Sequence, residues 1–100
     1  MFAPGLDARL QVKSDVMTAG AVRVLVIDDD ESVGAAIKQL LARRGCRTEL
    51  APGAYAGIQA LARTCFDVLL VDLFMTGMSG IDAIGYIRQR SAVPIIAMSG

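Results

Sequence analysis

Apolar residues along this chain follow two alternating rhythms, short unbroken runs and longer stretches spaced by three and four. Residues 22–27 are interrupted only by Arg23 and run apolar into Asp28, Asp29 and Asp30, as a buried strand ending in carboxylates would. Val33, Ala36, Ile37, Leu40 and Leu41 then recur at helical spacing. Arg43 and Arg44 fall in the last turn and Gly45 follows as a stop, which predicts a helix over residues 31–44. Residues 46–51 interleave polar and apolar positions like an edge strand, and Pro52-Gly53 ends them. Residues 54–63 read as a short, small-residue helix with Ile58, Leu61 and Ala62 toward the core. Val68, Leu69, Leu70 and Val71 form a further buried run that stops at Asp72. Residues 80–90 predict a helix with Ile81, Ile84 and Ile87 on one stripe, and residues 93–98, with Pro94 inside them, a last strand.

Strand and helix alternate throughout, which implies right-handed βαβ units and an α/β fold with a parallel sheet. Residues 1–20 stand apart, forming an N-terminal extension ahead of a domain over residues 21–100. Leu6, Leu10, Val12, Val16 and Met17 share one side of a helix only weakly, leaving a loose extension and an ordered dimer-contact helix both open. Translation starting at Met17 would leave the domain intact; an intact mass beginning near Met17 would show it.

One hundred residues suffice for one small domain with a core. Apolar residues make up 54% and charged residues 20%, within the range of folded chains. Ten basic residues balance ten acidic ones, so charge gives no reason to expect nucleic acid or an anionic membrane as partner. No apolar run approaches the roughly 20 residues that span a bilayer, and the first residues lack a secretory pattern, so the expected compartment is the cytoplasm. Cys46 and Cys65 are isolated in a chain without histidine, which excludes a zinc ligand set and predicts buried or half-buried thiols.

The carboxylates change the picture most. In open parallel sheets ligands bind outside the carboxyl ends of strands, where Asp28, Asp29 and Asp72 would meet if their strands are neighbours. Asp72 alone reads equally well as a turn or capping residue. Three carboxylates together repel, each close pair by on the order of 4 kcal/mol at an effective dielectric near 20. Shared protons or a hard divalent cation such as Mg²⁺ would relieve this, and oxygen-only ligands favour the cation. A strand-end carboxylate beside such an ion is also a nucleophile toward phosphorus. Asp30 reads as a helix-start residue, and Ser99 as a strand-end serine or a hydrogen-bond donor to a phosphoryl oxygen.

The segments VLVIDDDES, LLVDLFMTGMSG and PIIAMSG, in that order and spacing, resemble the receiver domain of two-component response regulators across residues 22–100. The resemblance implies a flavodoxin-like parallel sheet with strand order 2-1-3-4-5. It implies that Asp72 accepts a phosphoryl group from a sensor histidine kinase or phosphotransfer protein, a signalling role and not an enzyme's turnover. It further implies that Mg²⁺ is held by Asp28, Asp29, Asp72 and the Phe74 backbone carbonyl, and that Ser99 is the switch hydroxyl, with the Gly100 N–H beside it. Gly80 matches the glycine of the loop after the acceptor. Ser32, Val33, Ala36 and Ile37 would contact the kinase.

Two departures accompany it. Thr76 stands where the family usually has proline, which bears on loop stiffness. The sequence also ends at Gly100, before the family's last helix-strand-helix and its phosphoryl-pairing lysine, so an incomplete receiver is expected. Lys38, roughly 10 Å along its helix from the carboxylate end, and Lys13, in the extension, are poor substitutes. Ile95, Ile96, Ala97 and Met98 would then form an open apolar edge, at about 1.5 to 3 kcal/mol per exposed side chain. Such an edge leaves two expectations open: the 100 residues belong to a longer protein, or they associate, as a homodimer through the fourth-strand edge or as a phosphorylation-independent interaction module. Two other classes fit worse. A haloacid-dehalogenase-type phosphatase needs aspartate where Phe74 stands, and a dinucleotide binder needs GxGxxG where DDDESVG stands.

Overall fold

The computed structural model describes residues 21–99. The extension over residues 1–20, with Lys13 and Met17, and Gly100 lie outside the described residues. The elements alternate as β1 (Arg23–Ile27), α1 (Glu31–Ala42), β2 (Arg47–Ala51), α2 (Ala54–Arg63), β3 (Val68–Asp72), α3 (Gly80–Arg88) and β4 (Ile95–Met98). All strands pair in parallel in the order β2-β1-β3-β4, the expected flavodoxin-like arrangement, with β2 and β4 at the edges of the described sheet.

β1 lies inside the sheet, and Val24, Leu25, Val26 and Ile27 are all buried. Its side chains alternate between faces. Leu25 and Ile27 join Leu69 and Val71 of β3 under α2 and α3, where Ala54, Ala60, Ala83 and Ile87 pack into the same core with Ala51 and Met75. Small residues let α2 approach the sheet closely. A Cβ at Gly57 would overlap the Ile27 side chain. The other face carries α1, whose Gly34 backs onto Leu50 of β2 and is its one buried residue.

α1 ends at Ala42, short of the expected Arg44. The Arg44 and Gly45 N–H groups donate to Leu41 and Ala42 carbonyls, and Gly45 takes φ +80° to turn the chain into β2. α3 stops at Arg88, before the expected residue 90, because the Arg90 and Ser91 N–H groups both turn back to the Ile87 carbonyl. β4 begins at Ile95, just after Pro94, which has no N–H to give a ladder.

Three side-chain expectations are corrected. Ile81 is 65% exposed, because the inward stripe of α3 runs through Gly80, Ala83, Ile84 and Ile87. Ala62 is exposed, since α2 turns Ala54, Gly57, Ile58 and Leu61 inward instead. Cys65 is exposed beyond the end of α2, whereas Cys46 is half-buried as expected. The α1 stripe is half covered. Ile37 and Leu41 are partly buried, while Leu40 is 60% exposed. On that side of the sheet Ile96 of β4 is 55% exposed.

Candidate functional site

The register that pairs Ile27 with Val71 carries β1 and β3 to their carboxyl ends side by side. Asp28 follows the last residue of β1, and Asp72 is the last of β3. Asp28, Asp29 and Asp72 each offer a carboxylate oxygen within 4.8 Å of the others. The three residues singled out in the sequence are thus brought together.

Each carboxylate is tied to the backbone. Asp28 Oδ1 accepts the Asp30 N–H at 2.9 Å, and Asp72 Oδ1 accepts the Phe74 N–H at 3.0 Å. Asp29 Oδ2 accepts both the N–H of Thr76 at 3.1 Å and its hydroxyl at 3.2 Å. The Asp28 backbone is anchored in turn, its N–H donating to the Ala51 carbonyl at 3.0 Å.

Burial raises the Asp28 carboxyl above the ordinary aspartate range, the Asp30 N–H opposes this, and Asp72 and Asp29 add to the rise by repulsion. Asp30 behaves differently. Its side chain caps α1, accepting from the Ser32 hydroxyl at 2.7 Å and from the Ser32 and Val33 N–H groups, and these donors lower its pKa. It therefore serves as the helix start the sequence suggested.

Above the carboxylates lies an open cleft of ≈ 440 Å³ lined by Asp28, Asp29, Asp30, Val33, Asp72, Phe74, Met98 and Ser99. Ser99 is placed there by β4, because Met98 pairs with Asp72 and accepts the Leu73 N–H at 2.9 Å. Phe74 is 72% exposed at the rim. Among the described residues the cleft lining contains no lysine or arginine, and Lys38 is exposed on α1. Oxygen donors in a cleft open to water fit a hard cation that keeps part of its hydration shell.

Two tertiary relationships escaped the sequence. One is the grip of Thr76 on Asp29; the only sequence signal was the family departure at position 76. The other is the contact of Gly80 with the strand end, where a Cβ would overlap the Asp72 carbonyl oxygen and stand 2.6 Å from Leu73 Cα.

A parallel sheet in this order, with an acidic cleft at the carboxyl ends of its two central strands, defines a doubly wound α/β protein whose candidate site lies at the strand-order switch. Residues 24–100 match the family model described as the response regulator receiver domain, and the chain belongs to that family. It is 34% identical over 79 residues to the uncharacterized transcriptional regulatory protein YrkP of Bacillus subtilis (strain 168), covering 79% of this chain and 34% of YrkP. A response regulator receiver protein from Pseudomonas putida superposes with a TM-score of 0.78 at 34% identity, covering 83% of this chain and 71% of that one. The response regulator TrrA of Thermotoga maritima, solved in complex with Mg²⁺-BeF, superposes with a TM-score of 0.74 at 25% identity, covering 78% of this chain and 69% of that one. The chain spans about a third of the length of the curated relatives it matches first. Among the described residues no helix is long and apolar enough to cross a membrane.

Proposed function

We propose that this chain is a phosphoacceptor receiver, with residues 21–100 as the receiver unit, residues 1–20 as an extension to it, and Asp72 as the acceptor. The observation that carries this reading is the convergence of Asp28, Asp29 and Asp72 within 4.8 Å at adjacent strand ends, inside the segment that matches the receiver family.

In this reading Asp28, Asp29, Asp72 and the Phe74 backbone carbonyl hold Mg²⁺. When bound, Mg²⁺ offsets negative charge on the transferring phosphoryl oxygens. Asp72 Oδ1 is engaged by the Phe74 N–H, which leaves Oδ2 as the attacking oxygen. The new Oδ2–P bond forms as the P–N bond of a phosphohistidine on the donor breaks, and the electron pair leaves with the imidazole nitrogen. Ser99, across the cleft, supplies a hydroxyl to the phosphoryl group once it is in place. The donor is a sensor histidine kinase or phosphotransfer protein in the cytoplasm, docking on Ser32, Val33, Ala36 and Ile37 of α1, of which the first three are exposed and Ile37 is half-buried.

Acetyl phosphate with Mg²⁺, followed by intact-mass measurement, tests this directly. One added phosphoryl group on the wild type and none on Asp72→Asn is the expected result. An unmodified wild type, or an adduct that persists in Asp72→Asn, would overturn it.

One observation favours a second reading, an interaction module that works without phosphate. Ile96 is 55% exposed on β4, which pairs only with β3 among the described residues. An open apolar strand suits a homodimer formed edge to edge. Sedimentation over a concentration series distinguishes this from a monomeric receiver.

A further inference from the structure

We propose that Thr76 is a positioning residue for the divalent-cation site, its backbone N–H and hydroxyl together holding the Asp29 carboxylate beside Asp28 and Asp72. This rests on the reading of that carboxylate cluster as a cation site.

The three acids are restrained in different ways. Asp28 and Asp72 are each held by an N–H two residues further along their own segment. Asp29 is exposed and is held by Thr76, 47 residues away in sequence, in the loop between β3 and α3. Repulsion from its two neighbours would otherwise drive this exposed side chain toward water, where a lone carboxylate is better solvated. Both Thr76 donors converge on Oδ2, and among the described residues Oδ1 has no hydrogen-bond donor. The carboxylate is therefore aimed before any ion arrives, and less of the binding energy goes into ordering it.

The substitutions available at this position separate the two donors. Serine has both, valine keeps only the N–H, and proline has neither. What the sequence presented as a question of loop stiffness is, in the folded chain, a direct grip on a cation ligand. Because Thr76 lies in the loop that leaves Asp72, the aim of Asp29 and the position of that loop are linked.

The test is Mn²⁺ titration of the whole chain, following the free-ion signal by electron paramagnetic resonance. Thr76→Ser should stay within about twofold of wild type, Thr76→Val should bind about threefold more weakly, and Thr76→Pro about tenfold more weakly, as expected for exposed hydrogen bonds to a charged group. Metal-free melting of the Ser and Val variants should match wild type, so that a general loss of structure does not explain the change. The Thr76 amide should also exchange slowly without metal in the wild type and faster in Asp29→Ala. If wild type binds Mn²⁺ and Thr76→Val binds it equally well, the positioning role is wrong while the cation site stands. If wild type binds no Mn²⁺, the cation site is wrong and this role falls with it. Should Thr76→Pro unfold, Thr76→Val decides alone.

Discussion

Gly80 opens its helix directly against the peptide of Asp72, so closely that a Cβ there would overlap the Asp72 carbonyl oxygen. The Gly80 N–H also donates to the Leu73 carbonyl at 3.2 Å. The end of β3 and the start of α3 are thus one packed unit, and the loop between them is held at both ends.

Replacing Gly80 by alanine should cost about 3 kcal/mol, the upper part of the overpacking range, because backbone must move to admit the methyl group. Gly57→Ala should cost less, about 2 kcal/mol, since its added Cβ meets the Ile27 side chain and not backbone, although Ile27 is fully buried and its Cγ1 would stand 2.7 Å away. Urea unfolding of both variants gives the comparison. Equal losses would show that the Gly80 contact relaxes more easily than its geometry implies.

Asp28 predicts a pH dependence of the metal-free protein. Its folded-state pKa is raised by burial, so the native state keeps a proton that the unfolded chain has already released. Stability should therefore fall as pH rises from the ordinary aspartate range through the raised one. Asp28→Asn should remove that slope and raise the urea midpoint at neutral pH in chelator. Saturating Mg²⁺ should reverse the ranking and favour the wild type.

Asp30 predicts the opposite slope. Its pKa is lowered by donors from Ser32 and Val33, so its contribution is present above the ordinary aspartate range and lost as pH falls through the depressed one. Asp30→Ala should lower the melting temperature at neutral pH, while Asp30→Asn, which keeps an acceptor for the cap, should lower it less. Thermal melts at several pH values would separate this cap from the Asp28 effect.

Thr48 offers a stabilising change. Its hydroxyl oxygen is buried without a hydrogen-bond partner among the described residues. Thr48→Val keeps the shape and removes the unsatisfied group, and should add about 1 kcal/mol. A loss of stability in urea would mean that the hydroxyl is paired in solution.

The parts of the fold legible in sequence were those that depend on local rhythm. The run from Val68 to Val71 marks a strand because four apolar residues stop at an acid, and α2 was bounded correctly because Pro52-Gly53 precedes it. The convergence of Asp28, Asp29 and Asp72 was legible because strand ends in a parallel sheet share one edge. Ile81 misled because a spacing of three drifts around a helix, and the close contact at Gly80 sets which side faces the sheet. The Thr76–Asp29 bonds were not legible from rhythm, and the departure at position 76 marked the place without showing the contact. They depend on where a loop returns in space, and no periodicity encodes that.

The neighbours β1 and β3 are not consecutive in the chain, since β2 intervenes and pairs on the far side of β1. The acidic cluster therefore comes into being only after a crossover has closed, and no part of the chain shorter than residues 28–72 can contain it. A cation that binds there ties together two strands whose pairing carries the larger loop-closure entropy. If the cluster holds its proposed cation, affinity for that ion would be a gauge of long-range order, and a chain whose central pairing slipped would lose the ion before it lost its helices.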